Sequence, residues 1–222
     1  TFSDLVFLDE TTGIAGVAKA STTPRDFAIG VMETLRKANI RIADTSFFVH
    51  GSTVVINALT ERKGAVTALI TTQGFRDVLE IGRANRPDIY NLQYAKPAPF
   101  VPRRLRFEVA GRINAKGEEI VPLDDAGVEA AVAACKAEGV ASIAVCFLHS
   151  YANPTHEQKC GEIIARLAPE MRVTLSHRIT QEWREYERTN TAVLNSYVLP
   201  VAAGYLNNLE AKLSEAGMAR VY

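Results

Sequence analysis

With 222 residues the chain has room for one sizeable core, or for one domain and the start of another. Its 25 basic and 25 acidic side chains cancel to a formal net charge of +0, which excludes the basic excess of a nucleic-acid or membrane-surface binder. No apolar run reaches the roughly 18 residues that a bilayer span requires.

The first residues, Thr1-Phe2-Ser3-Asp4, carry no charged segment ahead of an apolar one, so no signal peptide is read. Residues 2–8 read as a strand, 9–13 as a hairpin turn and 13–20 as the returning strand. Thr23-Pro24 opens a helix, with Pro24 tolerated in its first turn. Ile29, Met32 and Leu35 fall on one face of that helix, with Ala28 and Val31 beside it. Residues 47–49 read as a short strand running into His50-Gly51-Ser52-Thr53, and a helix follows over 53–59. Residues 65–71 form a buried strand by their continuous apolar run, and 75–81 a short helix. Residues 83–102 hold Pro87, Pro97, Pro99 and Pro102 and little periodicity, the signature of a long ordered loop that covers a site or an interface.

A strand over 105–113 ends in the turn 114–117. Asp124 caps a helix through Ala137, and 142–148 is a core strand. Residues 154–167 are an amphipathic helix and 172–176 another strand, an alternation that argues for a layered α/β domain. From 182 to 216 the pattern is helical, interrupted at Pro200, and 219–222 looks like a strand just beginning. A chain that stops at the start of a core strand leaves its backbone pairing unmade, so the sequence reads as part of a longer protein. The cysteines, Cys135, Cys146 and Cys160, are odd in number and stand at no zinc or redox spacing. They read as reduced, buried thiols of a cytoplasmic protein.

Three polar stretches stand out. Thr1, Ser3 and Asp4 offer hydroxyls and a carboxylate that can hold nucleotide phosphates and a magnesium water shell, although so short a motif is common in ordinary strands. Gly51, Ser52 and Thr53 open a helix with backbone donors and two hydroxyls, either an anion site or a plain N-cap. Arg184 and Arg188 share a face of the segment 182–191, which is either functional or a solvated charge run. Arg76, Asp77, Arg83 and Arg86 cluster about the proline-rich loop, where they clamp an anion or pin the loop. A metal site from His149, His156 and Glu157 is conceivable, but histidines separated by a loop are more often held by structural hydrogen bonds. His177 reads as structural.

In this order the blocks resemble the hydantoinase A/oxoprolinase family. The matching stretches are 50–64, 69–83, 101–103, 144–151 with Asn153-Pro154 and His156-Glu157, and 185–189 onward to Asn195 and Pro200. The resemblance covers essentially the whole chain. It implies an α/β fold, a ribonuclease-H-like lobe of the actin-like ATPase superfamily, with a mixed sheet flanked by helices and followed by helices that lead into a second lobe. It divides the chain into an N-terminal domain over 1–178 and the start of the main domain over 179–222. The family's phosphate loop reads Asp-x-Gly-Gly-Thr-x-Thr-Asp. This chain enters it at Thr1, with Ser3 in place of the second Thr and Asp4 last.

What the resemblance implies is an ATP-dependent hydrolase of cyclic amides, using ATP and Mg2+ and working with a hydantoinase B-like partner subunit. Asp4, His50, Asn57 and Arg188 become the candidate catalytic residues, with Asp4 also the metal ligand. Thr1, Ser3, Gly51, Ser52 and Thr53 become the nucleotide-binding candidates, and Arg76, Asp77 and Arg83 the substrate-binding ones. The segment alone is expected to be inactive, because donors on both sides of a transferring phosphoryl group are needed. The alternatives are a subunit of an ATP-dependent ketone carboxylase and a non-catalytic assembly subunit. His50 and Asn57 are expected to face a cleft rather than bulk solvent.

Overall fold

The computed structural model describes residues 2–83, 88 and 90–218. Thr1, Arg86 and the expected strand at 219–222 lie outside the described residues. The chain divides into two compact units, Thr1–Val54 with Val201–Tyr222, and Val55–Pro200.

The first unit opens with the antiparallel hairpin β1 (Phe2–Leu8) and β2 (Ala15–Ser21), in which Asp4 is opposite Lys19. Alternation puts Ser3, Leu5 and Phe7 on one face and Asp4, Val6 and Leu8 on the other. The Asp9 carboxylate closes the turn by accepting from the backbone of Thr11 at 2.8 Å and Thr12 at 3.2 Å. Helix α1 (Phe27–Lys37) begins later than the Thr23-Pro24 signal implied, because Asp26 takes the N-cap and accepts from the Ala28 N–H at 3.0 Å. Its buried line runs through Ala28, Val31 and Leu35, and Ile29, expected on that line, is 45% exposed. The strand expected at 47–49 is not formed. That segment pairs with no strand among the described residues, Phe47 is 81% exposed, and only Phe48 reaches the unit's apolar cluster.

Helix α2 (Val54–Thr60) leads into the second unit, which begins at its second residue, Val55, and continues with the fully buried strand β3 (Thr67–Thr72) and α3 (Val78–Ile81). The single strand expected over 105–113 is two, β4 (Arg106–Val109) and β5 (Arg112–Ile113), the latter paired with β6 (Glu119–Val121). Gly111 divides them at φ 148°, where a side chain would be strained and would also press on His156 and Leu123 at 3.2 Å. Then come α4 (Asp125–Ala137), β7 (Ser142–Cys146), α5 (Thr155–Leu167), β8 (Arg172–Leu175), α6 (Ser176–Ile179) and α7 (Glu185–Glu215). Asp124 does stand at the α4 N-cap, but its carboxylate makes no capping hydrogen bond.

Strands β4-β3-β7-β8 form one four-stranded parallel sheet. The mixed character expected of the fold is realised in separate sheets, since the antiparallel pairs β1-β2 and β5-β6 stand apart from it. Ala68, Leu69 and Ile70 of β3 and Ile143, Ala144 and Val145 of β7 are completely buried, as both-face cover by helices requires of parallel strands.

Helix α7 is continuous through Pro200 rather than interrupted there. Proline removes one backbone donor and crowds the preceding turn. Packing holds the helix together on both sides of it, through Tyr197 and Val198 in the second unit and Leu209 and Leu213 in the first.

A close approach pins the start of β3. The Ala65 N–H donates to the Tyr197 carbonyl at 2.9 Å, and a Cβ on Gly64 would lie 2.2 Å from the Tyr197 ring. That ring is itself held edge-on against Phe100 at 4.9 Å. Gly64→Ala is therefore expected to lower stability by about 2 kcal/mol through overpacking, read from urea unfolding. An unchanged midpoint would contradict this packing.

Candidate functional site

In the first unit, Asp4 and Ser3 do not converge. Asp4 projects from the open face of β1 and pairs with Lys19 at 3.2 Å, its side chain 66% exposed. Ser3 points the other way, toward α1, where its Oγ would meet a Cβ on Gly30 at 2.7 Å. A single exposed carboxylate fits a Mg2+ ion that keeps most of its waters and takes its other ligands from phosphate. Ser3 does not share that face. No group of three His, Cys, Asp or Glu side chains among the described residues could hold a metal by itself.

His50 is half-buried and stacks on Phe48, with ring centroids 6.4 Å apart. Its Nε2 shares a 2.5 Å hydrogen bond with the Tyr205 hydroxyl, and burial holds its pKa below the usual histidine value. Ser52 caps locally, since its Oγ accepts from the Val54 N–H at 3.2 Å. Gly51, Ser52 and Thr53 are exposed. Helix α2 behind them has 7 residues, too short a helix for its dipole alone to make an anion site. Asn57 lies on α2 in the second unit and is half-buried.

Also in the second unit, the basic cluster has internal partners. Asp77 accepts both ends of the Arg103 guanidinium at 2.8 and 3.0 Å, and that bond holds its carboxyl below the usual range. Arg83 donates to Glu187 at 2.5 Å, and Arg76 stands 3.8 Å from Glu108. Arg62 donates to the Ala98 carbonyl at 2.6 Å and Lys96 to the Ile81 carbonyl at 2.5 Å. These contacts pin the proline-rich loop. Beneath it is a cavity of about 340 Å³ lined by Arg62, Glu80, Arg83, Lys96, Tyr186 and Asn190, among others.

Arg188 is not on a solvated face. It is 1% exposed, and its Nη2 donates to the Phe147 carbonyl at 2.8 Å. On the other side of the same residue, the Phe147 N–H donates to Glu157 at 3.0 Å. Glu157 is completely buried and also accepts from Ser176 Oγ at 2.5 Å, the His177 N–H at 3.0 Å and His177 Nδ1 at 2.7 Å. His156 is taken by Glu119 at 2.6 Å, so His149, His156 and Glu157 do not come together as a metal site. The Glu157 hub and the Tyr205–His50 contact were missed in the sequence. The one available signal for the first was the Ser176-His177 pair directly after a core strand. The cysteines are free and buried, and burial pushes the Cys135 thiol up to about 12.

Residues 1–168 match the family model for the hydantoinase/oxoprolinase N-terminal region. The alpha subunit of caprolactamase from Pseudomonas jessenii is 34% identical over 98% of this chain and 32% of its own length. The solved ATP-dependent caprolactamase of that organism superposes with a TM-score of 0.88 at 33% identity, over all of this chain and 33% of that one. The 5-oxoprolinase of Saccharomyces cerevisiae is 33% identical over 75% of this chain and 15% of its own. A nucleotide-free acetone carboxylase structure superposes with a TM-score of 0.85 at 26% identity, over 98% of this chain and 33% of the other. The chain thus spans about a third of the length of the caprolactamase subunit that it matches.

Proposed function

The chain belongs to the hydantoinase/oxoprolinase family, and from that premise we propose that it forms part of a subunit that opens a cyclic amide at the expense of ATP. The observation that carries this reading is the match to a caprolactamase subunit along nearly the whole chain. An unstrained lactam carbon is a poor electrophile. Transfer of the γ-phosphoryl group of ATP to the carbonyl oxygen makes the carbon attackable by water. After water adds, the C–N bond breaks as the nitrogen takes a proton, leaving an acyl phosphate; a second water attacks its carbonyl carbon, and phosphate leaves with the former carbonyl oxygen.

In this reading Asp4 faces the magnesium shell, while Ser3 and Gly51 to Thr53 serve the nucleotide. The fit of Ser3 requires it to act from the opposite face of β1. His50, Asn57 and Arg188 are the proposed reaction-site groups, and Arg76, Asp77 and Arg83 the proposed substrate-facing ones, which must trade an internal partner to do so. We also propose a division into domains at 178/179, supported by the family match ending at residue 168. A hydantoinase B-like partner is proposed because the Pseudomonas relative is itself one subunit of its enzyme. A cytoplasmic location is proposed from the free, buried thiols.

The acetone carboxylase likeness favours one second reading, the same phosphorylation applied to a ketone enolate before carboxylation. Product analysis of the intact protein with its partner separates the two. A lactam with ATP is expected to give the ring-opened amino acid, and a ketone with bicarbonate and ATP no carboxylated product. The reverse pattern would overturn the amidase reading.

A further inference from the structure

The geometry points to an oxyanion-binding site, taking a carboxylate or a phosphate group, at the carboxyl edge of the parallel sheet, built from Arg188 with His149 and Arg112. Arg188 is the starting observation. Its guanidinium is buried, yet Nε and Nη1 have no hydrogen-bond partner and no carboxylate lies within ion-pair distance among the described residues. A buried charge without a counter-charge, with two unmade donors, is strongly unfavourable. Nη2 carries a second N–H beside the one given to Phe147, and with its unpartnered neighbour on that edge of the guanidinium it makes the two-donor fork that a carboxylate or phosphate accepts.

The surroundings are arranged for the same charge. The Tyr151 ring lies 5.5 Å from the Arg188 guanidinium, and the Tyr151 hydroxyl is 3.2 Å from His149 Nδ1. His149 is held at φ 58°, a left-handed conformation uncommon outside glycine. Arg112 leans over Phe75 at 5.4 Å and has no carboxylate within ion-pair distance among the described residues. Burial, then Arg112, then Arg188 hold the His149 pKa below its usual value, with only Glu185 opposing, so the three bases share one field.

The location is the one that open parallel sheets offer to ligands. Chain order reverses direction across the sheet at β3, which has β4 on one side and β7 on the other, so the connections leaving β3 and β7 part at their carboxyl ends, where open parallel sheets hold their crevice. There Thr72 at the end of β3 accepts from the Leu148 N–H at 3.0 Å, one residue beyond the Phe147 that Arg188 holds. The first turn of the 31-residue helix α7 delivers Arg188 to this edge.

The site stands on this geometry and not on the proposed activity, so a binding measurement tests it apart from turnover. The intact protein carrying this sequence is titrated with inorganic phosphate and, separately, with acetate. Calorimetry reads affinity, and the His149 C2 proton, assigned by its loss in His149→Asn, reports the location. One anion or both are expected to bind saturably and to move the His149 resonance. Arg112→Met is expected to weaken binding about tenfold, and Arg188→Met more. Half-exposed Arg112 keeps the test decisive if the buried variant fails to fold. Phosphate alone binding assigns the site to a phosphoryl group, and acetate alone to a substrate carboxylate. The site is overturned if neither binds, or if binding is indifferent to Arg112→Met and leaves His149 unmoved.

Discussion

Glu157→Ala is expected to cost about 3 kcal/mol or more of folding stability, measured by chemical unfolding at pH 7. The carboxylate is completely buried and collects donors from Phe147, Ser176 and His177. Removing it strands those donors in the core beside β7 and β8. Burial pushes the Glu157 carboxyl up, but hydrogen bonds from His177, Ser176 and Ser150 outweigh it and leave the pKa below the ordinary glutamate value. The unfolded chain therefore takes this proton first as pH falls. The contribution is fully present above about pH 4.3 and is lost as pH drops through the lower folded value. The difference in stability between wild type and Glu157→Ala should accordingly narrow in acid. A cost under about 1 kcal/mol at pH 7, or a difference that does not change with pH, would contradict the role of this hub.

Arg188→Met is expected to reduce ATP-coupled turnover of the intact enzyme by about 100-fold or more, the scale of losing charge-assisted hydrogen bonds in the transition state. Stability is expected to move far less than turnover, because methionine fills the volume and removes a buried charge that has no counter-ion. Those two readouts separate the possible roles. A merely structural Arg188 would lower the melting temperature and leave the folded enzyme active. Glu187→Gln should matter less, since Glu187 is half-buried and its contact is to Arg83. Near-normal turnover in Arg188→Met would return this helix to ordinary structure.

The fold was legible where local pattern and tertiary burial coincide. Strands β3 and β7 announce themselves as continuous apolar runs because helices cover both faces of the sheet. The hairpin β1-β2 reads from its alternation and the turn chemistry at Asp9. Segment 47–49 has strand composition, but composition cannot say whether a strand edge is available to pair with it. Gly111 looked like one residue of a strand, whereas its backbone angle and the nearness of His156 make it a divider. Pro200 was read as a break because local propensity disfavours it, and packing of α7 in each unit overrode that.

The site was harder to read for a definite reason. Arg184 and Arg188 carry the same charge at helical spacing, yet one is exposed and the other buried. What decides this is the Phe147 carbonyl, 41 residues away in sequence. Glu157 likewise takes its meaning from Ser176 and His177, 19 and 20 residues on. Asp4 and Ser3 were read together as neighbours in a motif, but strand alternation sends them to opposite faces. Long-range contacts of this kind leave no periodic trace in a single sequence.

The most direct test of ATP-driven amide opening follows the oxygen atom. A lactam carrying 18O at its carbonyl is turned over by the intact protein and its partner in the presence of ATP, and the released phosphate is analysed by mass spectrometry. The expected result is one 18O in phosphate for each ring opened, because the carbonyl oxygen is phosphorylated and then leaves. Ring opening that retains all of the 18O in the amino-acid product, with unlabelled phosphate, would contradict it.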